Sequence, residues 1–151
     1  RITKSLLRFE IVTYLKKIYD KKFVLIGEDW RKYSIDSLKS NYNTKKNKKI
    51  YKGNICLDTG SLEGSSSLYS RANQIIESGG LIVQNYAFDA SEHWKDLKQD
   101  LLFKNFDELR NIIDKLINNL ELSNILLDKI SKHFQNSSIS MEETLNRYFS
   151  K

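Results

Sequence analysis

Apolar residues recur along this chain at two different spacings. At residues 5–19 the period is helical: Leu6, Phe9, Val12 or Thr13, and Lys16 share one side, with Leu7, Ile11, Tyr14, Leu15 and Ile18 beside them. Residues 23–26 (FVLI) are a continuous apolar run, which predicts a parallel-sheet strand covered on both faces and ended by Gly27. Ile55 and Leu57, with Cys56 between them, predict a short buried strand. Leu68, Ala72, Ile75 and Ile76 return to helical spacing, Gly79 and Gly80 close that helix, and LIVQ (residues 81–84) gives the next strand. Residues 54–84 therefore read as strand, loop, helix, strand, a βαβ unit around which the rest of the chain is organised.

Elsewhere the pattern is less even. Residues 34–40 predict a short helix anchored only by Ile35 and Leu38, and residues 41–49 read as a polar, mobile loop. Asp89 or Ser91 can start a short helix carrying His93 and Trp94; His93 reads as a surface residue or as a base. Residues 101–103 predict an edge strand. Phe106, Leu109, Ile112, Ile113, Leu116, Ile117 and Leu120 predict an amphipathic helix with Asp107 and Glu108 in its first turn. Residues 122–134 predict another. A last short helix is expected to start at Ser137 or Ser140, because Ser140 with Glu143 makes a capping box. Strands alternating with helices predict an α/β domain with a mainly parallel sheet, and the three closing helices are expected to pack on one face of it.

The candidate chemistry lies in the loop of the βαβ unit. Residues 60–67 (GSLEGSSS) are small and polar, with Ser65, Ser66 and Ser67 placed to cap the following helix. A loop of this kind feeding a helix N-terminus presents backbone amides to an anion. On a helical wheel Arg71 and Gln74 lie about 60° apart on one flank of the apolar face. They either look across the loop towards a ligand or touch only water. Gly27 to Trp30 leave the first predicted strand at its C-terminal end, where open α/β sheets bind ligands; Trp30 is either a packing residue or a flat surface for a base.

Composition narrows the classes. The 151 residues, 40% of them hydrophobic, predict one domain with a real core. The absence of a starting Met suggests either a piece of a longer protein or processing. No run reaches the ~18 apolar residues of a membrane span, and no secretory signal opens the chain. Cys56 is the single cysteine, which fits a reducing compartment, and two distant histidines with one cysteine predict no metal site. The net charge is +6, concentrated in Lys45, Lys46, Lys48, Lys49 and Lys52. That run is either a solvated loop or a meeting point for nucleic acid, acidic lipid or a sugar phosphate.

Three segments, taken in order, resemble the C-terminal half of two-domain (GT-B fold) glycosyltransferases, closest to the spore-maturation-protein-like group. They are FVLIG with nearby Trp30, then residues 51–84 with their strand, loop, "R-x-x-E"-like helix and double glycine, and then residues 101–134. The resemblance covers nearly the whole chain. It implies a Rossmann-like domain that binds a nucleotide-diphosphate sugar without a metal or other cofactor. The donor-binding residues it implies are Gly27, Trp30, Gly60, Ser61, Gly64, Ser65, Ser66, Ser67, Tyr69, Arg71 and Gln74. Arg71 matches the family arginine. Gln74 stands where the family usually has a glutamate that bonds the ribose, so this contact loses its charge.

The resemblance also implies an N-terminal domain that supplies the acceptor site and the catalytic base, so the chain by itself is expected to bind and not turn over. It implies a bacterial enzyme of cell-surface polysaccharide synthesis; from the cysteine usage and the lysine run the chain is expected to be cytoplasmic, with peripheral contact to an acidic inner membrane face as an option and nucleic acid disfavoured as a partner. Two other readings compete: an interaction module of the same fold with a decayed donor site, and a basic nucleic-acid-binding α/β domain.

Overall fold

The computed structural model describes residues 2–39, 44–60 and 70–149, with side chains described for most residues between 5 and 135. The chain is α/β: three short parallel strands flanked by helices, with helix predominating. Helix α1 (Ile2–Tyr19) leads through a 3-10 turn into residues 23–26, and a second 3-10 turn (Glu28–Tyr33) follows. Helix α2 (Thr44–Tyr51) precedes strand β1 (Ile55–Asp58), helix α3 (Ser70–Glu77) and strand β2 (Leu81–Asn85). Helices α4 (Phe88–Trp94) and α5 (Lys98–Leu101) lead to strand β3 (Leu102–Phe103), and helices α6 (Phe106–Asn118) and α7 (Leu120–Phe149) close the chain.

The sheet order is β1-β2-β3, all parallel, with Ile55 opposite Leu81 and Gln84 opposite Leu102. The expected βαβ unit is therefore present. Its helix ends in a Schellman motif: the Gly80 amide donates to the Ile75 carbonyl and the Gly79 amide to Ile76, with Gly79 at φ 74°. Gly80 is needed for space. A Cβ there would lie 2.9 Å from the Tyr51 carbonyl oxygen, 2.9 Å from Ile75 Cγ2 and 3.2 Å from Cys56 Sγ.

Strand β2 is central and buried at its first four positions. Ile11 and Leu15 of α1, Ile75 of α3, Leu109 and Ile113 of α6, and Leu126 and Ile130 of α7 join it in one core. Helix α1 is fastened to α6 by the Tyr19 hydroxyl, which donates to Asp114 Oδ1 at 2.7 Å, and by Tyr14 stacked on Phe106. Burial first and the Asp114 carboxylate second push the Tyr19 phenol upward. Helix α6 starts on Asn105, whose Oδ1 accepts the Glu108 amide at 2.8 Å, while Glu108 reaches back to the Lys104 amide. Asn119 repeats the device for α7, accepting from the Leu122 amide.

Four expectations are corrected. Residues 23–26 form no strand of the three-stranded sheet; among the described residues their one ladder contact is a parallel bridge between Ile26 and Leu38. Val24 is 58% exposed while Phe23 packs on the core, so the run is not fully covered on both faces. Residues 34–39 hold no helix; the helical turn lies earlier, at Glu28–Tyr33, and Ser34 ends it in the left-handed region. The lysine run is helical in α2, not a loop, because Ile50 and Tyr51 give it a half-buried anchor. Two helices, not three, close the chain: α7 runs unbroken through Ser137 and Ser140 to Phe149. After Gly80 the sequence contains neither glycine nor proline, so nothing there forces a stop.

Candidate site at the carboxyl end of strand β1

Asp58 is the last residue of β1 and is 2% exposed. A carboxylate so placed needs hydrogen bonds, because burial removes its water. It has them. Gln84 Nε2 donates to Asp58 Oδ2 at 3.1 Å, and the Gly60 amide donates to Asp58 Oδ1 at 3.2 Å. The parallel register sets Gln84 directly beside Asp58. Gln84 in turn accepts from Trp94 Nε1 at 2.6 Å. One polar chain thus runs from the α4 indole through the central strand to the carboxylate at the loop.

Two arginines act on this end of the strand, Arg8 by contact and Arg71 through its charge. Arg8 of α1, half-buried, donates to the Gly60 carbonyl. Burial pushes its guanidinium below the ordinary arginine value, the positive charge of Arg71 pushes the same way, and Asp58 opposes both. Arg71, exposed on α3, also acts on the Tyr51 phenol together with Asp58; burial is the main cause raising that phenol. Arg8, Tyr51, Asp58 and Arg71 therefore share one electrostatic neighbourhood.

The sequence-predicted residues distribute as follows. Gly60 lies in the neighbourhood, at φ 72°, with its amide and carbonyl both engaged internally. Arg71 joins it. Gln74, one turn further along α3, is exposed on the same flank. Gly27 and Trp30 belong to the turn beside α1. The Gly27 amide donates to the Leu38 carbonyl and its own carbonyl accepts from the Ser37 hydroxyl, so its backbone serves the fold. The half-buried Trp30 indole covers Gly27, and a Cβ at Gly27 would stand 3.2 Å from the ring. Trp30 thus has a packing role against Gly27. The two groups border the same stretch of α1: Arg8 meets Gly60, and its neighbour Phe9 meets Tyr33 edge to face at 5.3 Å. Ser61, Gly64, Ser65, Ser66, Ser67, Leu68 and Tyr69, with the expected helix cap, lie outside the described residues.

Sequence reasoning missed Asp58, Gln84, Trp94 and Arg8 as parts of this site. A signal existed for the first two: each is a polar residue at the end of an apolar strand, and equal positions on adjacent parallel strands meet. Arg8 gave none, since it follows Leu7 and precedes Phe9 in an ordinary amphipathic stretch.

Two further groups have perturbed acid–base character. His93 is half-buried, not a surface residue, and its ring lies 4.7 Å from His133 and 4.8 Å from Trp94. Burial first and His133 second push it down to about 4, so it is neutral at pH 7. Burial pushes the Cys56 thiol up to about 12, which makes it a poor nucleophile. Among the described residues, no three of His, Cys, Asp and Glu are grouped to hold a metal ion, and no helix is long and apolar enough to cross a membrane. Comparison with protein-family models, with curated proteins and with solved structures gave no match.

Proposed function

We propose that the carboxyl end of β1 binds the diphosphate of a nucleotide-sugar donor, and that the chain is the donor-binding half of a glycosyltransferase. The observation that carries this reading is Arg8, which donates to the Gly60 carbonyl at the start of the loop and feels the positive charge of Arg71. The charge of Arg71 disfavours the Arg8 cation, which is half-buried and has already lost part of its water. A diphosphate entering between them would relieve that repulsion and accept charge-assisted, bidentate hydrogen bonds from both forks. Asp58 is committed to Gln84 and the Gly60 amide, and so holds the loop's starting point, where Arg8 also donates to the Gly60 carbonyl.

In this reading the arginines contribute twice. They bind the ground state, and they stabilise the negative charge that grows on the diphosphate as the sugar leaves. Gln74, exposed on the Arg71 flank, accepts from a ribose hydroxyl through its carbonyl oxygen. The acceptor hydroxyl and the base that deprotonates it come from the preceding domain that the family resemblance implies.

The test is a calorimetric or NMR titration of the chain with UDP, GDP, CMP and ADP. Weak, saturable binding of a nucleoside diphosphate, with resonance shifts at Gly60, Arg71 and Gln74, is the expected result. Absence of binding by all four, both in this chain and in a longer protein carrying the preceding domain, overturns the reading. A second reading, an interaction module with a decayed site, is favoured by one observation, the neutral Gln74 at the ribose position. It predicts that same absence of binding with the fold intact.

A further inference from the structure

We propose that α2 is a docking surface for an anionic membrane face. Residues 37–57 contain six lysines and no acidic residue. In α2 the lysines are sorted by helix geometry. Lys45, Lys48, Lys49 and Lys52 stand at i, i+3, i+4 and i+7, within about 100° of arc on the helical wheel, with Lys52 just past the helix end. All four are exposed. Ile50 and Tyr51 point about the opposite way and are half-buried, with Tyr51 packed on the core. The stripe therefore faces straight out from the protein.

This arrangement works against the helix that carries it. Like charges three and four residues apart repel one another. Lys45 and Lys46 occupy the first turn, where the helix dipole disfavours cations, and that turn has no acidic residue. A polyanion laid along the stripe reverses both penalties.

The chemistry of the stripe selects the kind of polyanion. It contains lysine only. Arginine, whose planar fork grips phosphates and guanine edges bidentately, is absent from residues 37–57. Among the described residues of this segment the one aromatic, Tyr51, is turned inward and offers no ring for base stacking. A convex row of point charges on a helix about 12 Å long fits a plane of lipid phosphates better than it fits a grooved duplex or a stacked single strand. Because the apolar side chains of α2 are turned inward, attachment is electrostatic, reversible and weakened by salt. The proposal is independent of the ligand site at β1.

Co-sedimentation with phosphatidylcholine vesicles, with and without about one third phosphatidylserine, tests it. Binding is expected only to the anionic vesicles and only at low to physiological salt. Replacing the stripe by Lys45→Gln, Lys48→Gln, Lys49→Gln and Lys52→Gln should weaken binding about 100-fold, since each surface lysine contributes appreciably to attraction by an anionic leaflet. A control with the same loss of charge elsewhere (Lys21→Gln, Lys22→Gln, Lys98→Gln and Lys129→Gln) should stay within about threefold of the original chain. Circular dichroism checks the fold, and the single Lys49→Glu variant repeats the test with less disturbance. Equal loss in stripe and control variants, or no preference for anionic vesicles, overturns the proposal. Tighter, stripe-dependent binding to an oligonucleotide than to vesicles overturns it in favour of nucleic acid.

Discussion

Gln84 Nε2 donates to Asp58 Oδ2 at 3.1 Å while Gln84 Oε1 accepts from Trp94 Nε1 at 2.6 Å. One side-chain amide thus satisfies two buried partners of opposite demand, an acceptor on β1 and a donor on α4. Gln84→Leu is close in volume and satisfies neither. It leaves a buried carboxylate oxygen and a buried indole N–H without partners, and should cost about 2–4 kcal/mol. Urea denaturation measures it. Trp94→Phe alone removes the donor with its ring packing partly kept. The double variant should therefore lose less than the sum of the two single losses.

Arg71 is exposed on α3, so its removal should leave stability within about 0.5 kcal/mol of the original chain. If it grips a diphosphate, Arg71→Ala should weaken nucleotide binding by about tenfold or more, the value of a charge-assisted contact. Gln74→Glu should act the other way and tighten binding of nucleotides that carry a ribose, by roughly fivefold. Calorimetry on both variants reads the two effects separately. Loss of stability in Arg71→Ala without loss of affinity would assign Arg71 to the fold.

At Gly80 the Schellman turn, the Tyr51 carbonyl and the Cys56 sulfur leave no room for a methyl group. Gly80→Ala should destabilise the chain by about 1–3 kcal/mol through overpacking. Gly79→Ala, in open space but at φ 74°, should cost about 1 kcal/mol through backbone strain alone. Thermal unfolding of the pair separates crowding from conformation at adjacent positions.

His93 gives the chain a defined acid sensitivity. The unfolded chain binds a proton at this residue near 6.5 and the folded one only near 4. Its contribution is therefore fully present above about 6.5 and is lost as pH falls through that window towards 4. The ring is only half-buried, so solvent screening reduces the effect to on the order of 1–2 kcal/mol. His133 of α7 is the one charged or titratable group that acts on it appreciably among the described residues. His93→Phe should flatten the stability profile between pH 6.5 and 4, as measured by urea unfolding at several pH values.

The βαβ unit was legible because its signals agree. The apolar strands, the helical spacing of Ala72, Ile75 and Ile76, and the double glycine each specify the same turn of chain. The helix at Phe106 was legible for the same reason. Residues 23–26 misled because a continuous apolar run does not say how many of its faces will be covered; Val24 is left in solvent. The single helix α7 misled because Ser140 and Glu143 have the spacing of a capping box, which requires a chain break that no glycine or proline supplies. In the candidate site, Arg71 was readable from the helix it sits on. Asp58 and Gln84 carried a signal as polar strand-end residues, but it becomes specific only with the parallel register; Arg8 carried none, because its role depends on the placement of α1 across the loop, a long-range fact.

The indole of Trp94 is 1% exposed and lies two hydrogen bonds from the Asp58 carboxylate. The chain therefore contains its own spectroscopic probe of the candidate site. Anything that draws on Asp58 or shifts the start of the loop redistributes electron density along that relay. It should move the indole N–H resonance and the buried component of the fluorescence, with the half-buried Trp30 as an internal reference. Occupancy of the candidate site would become readable from an optical signal two hydrogen bonds away, without a label.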